Sequence, residues 1–307
     1  MELQAGKNNV TFKSQGVNLS GLLFTPENFD TSKKYPTIVF SGPFNQVKEQ
    51  MGALYGQKFA NKGYVFLSFD HLGYGDSEGE LRNNEHSFIK MESIRDAISY
   101  LRTLSFVNKE KLYGYGACAS GGYIPLVAVT DKRLKAIATV SGMMDNQASY
   151  FGIMTKEQLI PIFAMANEAR QKQYETGKVE YYDALGMETL DPNNLPEGPM
   201  GEGYDYYMTP RAGKETYKNY THLAPKTLME NAPITSAVTY APYLYTPYLG
   251  IVGEKAQTAP LTKIFFEKAS EPKEFYEVPG ASHVSLYDID QDVDKAVEKM
   301  DEFFSKY

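Results

Sequence analysis

With 307 residues, 42% of them apolar and 22% charged, the chain suits one large α/β domain carrying an insertion, and it excludes a disordered or fibrous class. A net charge of −7 argues against a surface that tracks phosphates, so no nucleic acid is expected as a partner. A lone cysteine excludes an internal disulfide and a paired-cysteine metal site, and no apolar run reaches the ~18 residues of a membrane span.

The opening "MELQAGKNNVTFKSQG" lacks the basic and then apolar regions of a signal peptide, which points to a cytoplasmic protein. "VTFKSQGVNLSGLLFTP" alternates apolar and polar residues about a Gly-Val break and predicts an antiparallel hairpin. "PTIVFSG" (36–42) and "YVFLSFD" (64–70) read as strands, with the helix "QMGALYGQKFANKG" between them. The helix "SIRDAISYLRTL" (93–104), the strand "KLYGYGAC", the helix "GGYIPLVAVT" and the strand "LKAIATVSG" (134–142) follow. Such alternation calls for a mainly parallel sheet with helices on both faces.

The rhythm stops over 146–245, which holds about half of the tyrosines and the loop-like "DPNNLPEGPMGEG". It resumes with the strand "YLGIVG" (248–253), the helix "PLTKIFFEKA", the strand "KEFYEV" and a last helix "VDKAVEKMDEFFSKY". The expected organisation is a core made of 1–145 and 246–307, interrupted by a cap at 146–245. Active sites in such sheets form at the carboxyl ends of the strands.

Two stretches fit a nucleophile elbow, in which a strand turns sharply into a helix and the residues two positions away must be small. In "GDSEG" the central Ser77 is followed by the polar "ELRNNEHSF" rather than an apolar helix, so it reads as a turn over the sheet. "GYGACASGGY" has the right context, with either Cys118 or Ser120 at its centre. Strand parity cannot choose, because positions two apart face the same side. Gly116, two residues before Cys118, favours the cysteine. Pro125 fits poorly, since it falls in the second turn of the helix that follows.

Here the sequence resembles the YcjY-like, dienelactone-hydrolase-related α/β-hydrolases. "GACASGGY" is similar to the group's G-x-C-A-S-G-G-Y elbow, and related esterases carry serine at the position of Cys118. "VKEQ" (47–50), "FDHLGYGDSEGELR", "YYMTPRAG" (206–213), "GEKAQT" (253–258) and "GASHVSLYD" (280–288) match the same group. The resemblance implies an α/β-hydrolase fold and ester or thioester chemistry at a cysteine, without implying a particular substrate. A small-molecule ester or thioester is the expected partner, with no cofactor or metal expected.

The general base must lie on a loop after the last core strand, which selects His283 over His71, His86 and His222. Hydrolases usually place the third residue, an Asp, where this chain has Ala256. Asp145, after the strand 134–142, and Glu254, on the expected loop but early, are the alternatives, and the acid being absent is the third. A Cys–His couple tolerates that loss better than Ser–His, because a free thiol titrates near ~8.5 and an imidazole near ~6.5. The oxyanion donors are expected from the amides of Ala119 and Phe44, Pro43 having no N–H and Asn45 standing in reserve. Arg211 is a candidate for an acidic substrate group, with a surface salt bridge as the plainer alternative.

The expected function is therefore a carboxylic-ester hydrolase, lactones included, in which Cys118 attacks, His283 moves the proton and Asp145 is the provisional acid. A thioesterase or acyltransferase acting on acyl or polyketide thioesters is the near rival. A non-catalytic binding protein on a hydrolase fold is the distant one, and a homo-oligomer is left open.

Overall fold

Apolar residues alternate between two faces along the central strands, and the two faces receive different helices. A computed structural model of the chain describes residues 3–307. It opens with the antiparallel pair β1 (Gly6–Ser14) and β2 (Val17–Thr25), turned by Gln15 and Gly16 at φ +50° and +88°. Then come β3 (Tyr35–Ser41), α1 (Met51–Asn61), β4 (Val65–Phe69), α2 (Ser87–Thr103), β5 (Val107–Ala117), α3 (Ala119–Thr130) and β6 (Ala136–Val140). The insertion contributes α4 (Asn146–Phe151), α5 (Lys156–Thr176), the two-stranded pair β7 (Tyr181–Asp183) and β8 (Leu223–Pro225), and α6 (Pro199–Met208) between them. The chain closes with β9 (Tyr248–Gly253), α7 (Ala259–Lys268), β10 (Lys273–Val278), α8 (Ser285–Asp288) and α9 (Asp290–Phe304).

Eight strands form one sheet in the order β1-β2-β4-β3-β5-β6-β9-β10. All neighbours from β4 to β10 are parallel, and only β2 runs against them, β1 being antiparallel to β2 in turn. Ile38, Phe40, Phe66, Tyr113 and Tyr115 point to the face covered by α1 and α9, with Met51, Tyr55 and Phe59 of α1 at one-turn spacing. Val39, Val65, Leu67 and Leu112 point to the opposite face, under α2, α3 and α7. Burying each such Phe or Leu contributes roughly 1.5–3 kcal/mol, so a slip of one residue that swaps the faces is strongly opposed.

Three local readings shift. The helix expected at 93–104 begins at Ser87, and the end of the stretch "DPNNLPEGPMGEG" belongs to α6. Residues 237–244, assigned by sequence to the cap, pack with α3 and α7 in the main core. Pro125 lies inside α3, where its missing N–H costs the helix one bond to Gly121 without ending it.

Candidate active site

The carboxyl ends of β3, β5, β6 and β9 open on the same edge of the sheet, and β5 ends in a sharp turn into α3. Cys118 sits there at φ +49° and ψ −115°, a strained backbone for a residue with a Cβ, and α3 starts at the next residue. The turn closes only because its neighbours are small. A Cβ on Gly116 would lie 2.3 Å from the Ser120 carbonyl oxygen, and one on Gly121 would lie 2.5 Å from Gly142 Cα. The Cys118 carbonyl accepts from Gly121 and Met143, so the elbow is tied to its own helix and to the end of β6.

The thiol faces a cavity of about 350 Å³, roofed by the insertion. Tyr150, Met187, Met200 and Tyr207 from that insertion make its wall largely apolar. The backbone N–H groups of Ala119 and Phe44 and the Tyr287 hydroxyl all lie near enough to the sulfur to favour its charged form. Tyr287 also holds His283, its Oη lying 2.9 Å from Nε2. Thr258 Oγ1 bonds the other ring nitrogen, Nδ1. A hydrogen-bonded chain therefore runs Tyr287–His283–Thr258, with the Cys118 sulfur at its Tyr287 end.

Burial sets the charge of this chain. It pushes the Cys118 thiol up, against the pull of Tyr287 and the two amides, and it pushes His283 down to about 4. It also holds Tyr287 well above its ordinary value, with the nearby Cys118 adding to the effect. Thiol, phenol and imidazole are all neutral at pH 7, which differs from the thiolate supply expected of a Cys–His couple. The reason is desolvation without a carboxylate to hold an imidazolium.

Residues 15–198 match the family described as X-Pro dipeptidyl-peptidase (S15 family). The chain is 30% identical to the uncharacterized protein YcjY of Escherichia coli K12 over 97% of its own length and 98% of that protein's. This chain belongs to the α/β-hydrolase superfamily. It is also 34% identical to the uncharacterized protein PA2218 of Pseudomonas aeruginosa, over 91% of this chain and 75% of that one. The PA2218 crystal structure superposes with a TM-score of 0.86, at 31% identity, covering 100% of this chain and 95% of that one. The polyketide transferase grgF of a Penicillium species is 24% identical over 94% of this chain and 94% of its own. Its crystal structure gives a TM-score of 0.80 at 21% identity, covering 98% of each chain, a likeness of fold.

Within this α/β-hydrolase the remaining candidates fall away from the cavity. Ser120 is fully buried, donates to the Gly42 carbonyl at 2.5 Å, and accepts from Ser41 at 2.7 Å. Ser41 in turn lies 2.8 Å from Nε2 of His71, a buried histidine. Ser77 is structural, its hydroxyl donating to the Asp70 carbonyl and accepting from the Ser20 N–H. His222 faces Glu188 at 2.8 Å, and His86 precedes α2 as its cap residue.

Asp145 is not the partner of His283. Its carboxylate accepts from the Ala148 N–H at 3.0 Å and caps α4. Glu254 accepts from the Gly280 N–H, and Ala256 is buried beside it. Thr258, two residues beyond Ala256, fills the place of the acid, because the loop from β9 brings it under the imidazole. Sequence reasoning missed Thr258 and Tyr287; the signal for the second was its place one helical turn after His283.

Arg211 does not reach the cavity. It forks onto Asp288 at 2.8 and 2.6 Å and also reaches Asp205 at 2.8 Å, clamping the end of α6 to α8, the helix that carries Tyr287. Lys48 bridges Asp70 at 2.7 Å and Asp76 at 2.6 Å, and so secures the segment that follows Phe44. Among the described residues no cluster of His, Cys, Asp or Glu suits a metal ion, and no helix is long and apolar enough to cross a membrane. A wider cavity of about 670 Å³ lies between Asn84, His86 and α5, but it contains neither serine nor cysteine, and its Arg170 is paired with Glu230.

Proposed function

We propose that this α/β-hydrolase cleaves carboxylic esters, lactones included, by acyl transfer to Cys118. The observation that carries the reading is the convergence on one sulfur of two backbone N–H donors and a Tyr–His chain, at the floor of an apolar cavity. In the tautomer with Nδ1–H donating to Thr258, Nε2 is free to accept. As the sulfur attacks the carbonyl carbon, its proton passes to the Tyr287 oxygen while the Tyr287 proton passes to Nε2. The carbonyl π pair becomes an oxyanion held by the Ala119 and Phe44 amides. Collapse breaks the ester bond, and the leaving alcohol takes its proton back along the same chain. Water then attacks the acyl-thioester, gives up its proton by the same route, and releases acid and free thiol.

Action on thioesters, by hydrolysis or by transfer to another nucleophile in place of water, is the second reading. It is favoured by the likeness to a thiohydrolase of Eupenicillium brefeldianum for the first and to a polyketide transferase for the second. A binding protein without catalysis is the third. Incubation with p-nitrophenyl butanoate and a butanoyl thioester, followed by peptide mass spectrometry, separates them. A butanoyl adduct on Cys118, absent in Cys118→Ala, with free butanoic acid as product, is the expected result. Butanoyl found on added alcohol or amine would favour transfer, and an adduct on Ser120 would move the nucleophile. Absence of both adduct and turnover would leave the binding protein.

A further inference from the structure

One charged side chain lines the cavity without taking part in the chain from Cys118 to Thr258. Glu85 lies in the polar stretch before α2, is buried, and borders the space that Cys118 faces. Its Oε2 accepts from Tyr74 at 2.9 Å and from Lys90 at 2.7 Å, while its Oε1 accepts only from Tyr123, at 3.0 Å. Tyr123 borders the cavity as well; Lys90 and Tyr74 stand behind, the ammonium 4.3 Å from the centre of the Tyr74 ring.

Each carboxylate oxygen can accept two hydrogen bonds, so Oε1 has a direction unfilled. Tyr123 has spent its proton on Glu85 and offers only a lone pair. Glu85 and Tyr123 therefore present acceptors only, in a wall otherwise largely apolar. A ligand group that fits must donate. Its charge is set by Lys90, which already neutralises Glu85 inside a buried site, so a second cation would stand uncompensated at a cost of several kcal/mol. A neutral hydroxyl meets both conditions.

Resting on the reading of Cys118 as the acyl acceptor, we propose that Glu85 and Tyr123 form a subsite for a hydroxyl on the acyl group, so that the substrates are hydroxyacyl esters or thioesters. Glu85 is then a specificity residue, not a catalytic one.

The probes are p-nitrophenyl hexanoate, its β-hydroxy and ω-hydroxy derivatives, and the ω-amino ester. One hydroxylated ester is expected to exceed hexanoate in kcat/KM by about 10- to 100-fold, the range for a hydrogen bond to a charged group. The double variant Glu85→Leu with Lys90→Met, which removes the buried pair together and avoids stranding either charge, is expected to bring that ratio close to one. If no hydroxylated ester is preferred, if the amino ester is preferred, or if the folded double variant keeps the wild-type ratio, the subsite is overturned. Calorimetry on Cys118→Ala protein with hexanamide and its hydroxylated forms reads the subsite without catalysis. Tighter binding of a hydroxylated amide, with no ester turned over by the wild type, would keep the subsite and discard the hydrolase. Equal binding of all the amides would discard the subsite even if every ester were cleaved.

Discussion

Two chains of sulfur, hydroxyl and imidazole meet at the turn after β5, and they differ in where their protons point. In one, Cys118 touches Tyr287, which touches His283, with the sulfur in the cavity beside two backbone amides. In the other, Ser41 donates to Ser120, so the nitrogen of His71 facing Ser41 must be a donor. Ser120 in turn gives its proton to the Gly42 carbonyl. That second chain ends on an acceptor and starts from an N–H, so it cannot remove a proton from its serine. The Nδ1 of His71 is buried without a partner, as expected of the bare nitrogen that remains. A serine near a histidine is thus not evidence of a nucleophile; the direction of donation decides.

The sharpest way to break this comparison is to delete each head group. Cys118→Ala is expected to lower kcat by about 10⁴-fold or more, the scale on which removing a nucleophile acts. Ester turnover in Cys118→Ala within about 10-fold of wild type would reverse the assignment of the two chains.

Removing the relay is the next largest step. Tyr287→Phe deletes the oxygen between sulfur and imidazole and is expected to cost about 10²- to 10³-fold in kcat, within the range of general acid–base effects. KM should change little, since Tyr287 meets the reacting sulfur. Rapid kinetics that leave kcat intact would mean that the imidazole reaches the sulfur directly once substrate is bound.

The two histidines can also be compared through pH. Burial holds His283 down to about 4 from its ordinary 6.5, and His71 is lowered in the same direction. A depressed imidazole supports the fold above its unfolded value and loses that contribution as pH falls through its folded one. His283 alone is worth on the order of 3 kcal/mol, lost between pH 6.5 and about 4. Urea denaturation at pH 7 and pH 4.5 should show the loss, and His283→Gln should reduce it. Turnover should also hold to lower pH than an ordinary histidine allows, with its acid limb near pH 4 in kcat/KM.

Much of this site was legible because its parts obey spacing rules. Small residues at 116, 121 and 122 announce the elbow, and a histidine after the last core strand announces itself by position. The oxyanion candidates follow from counting to the first usable N–H beyond Pro43. Thr258 and Glu85 were not legible, since each acts through a contact that no local pattern encodes, and Tyr287 left only its spacing of four residues from His283. A threonine standing where an acid was expected looks like any loop threonine. Asp145 looked suitable for the complementary reason: a carboxylate after a strand end serves a helix N-terminus as readily as an imidazole.

The smallest expected effect tests what the buried chain is for. Ser120 holds the Gly42 carbonyl, and Phe44, two residues further on, presents its N–H to the sulfur. Ser120→Ala would leave the Gly42 oxygen and the Ser41 hydroxyl short of a partner, so the segment carrying that N–H would loosen. A misplaced oxyanion donor weakens binding of the transition state more than of the substrate, so kcat should fall by about 10-fold while KM holds. Ser120→Cys is volume-similar but a poor donor and should restore little; Ser120→Thr keeps the hydroxyl and should restore most, provided the melting curve shows that its methyl is accommodated. Ser41→Ala should lower kcat by a similar factor, and the double variant should be no worse than either, because both act through one carbonyl. If the two losses multiplied, the serines would be acting on separate targets, and the buried chain would not be a single brace beneath the open one.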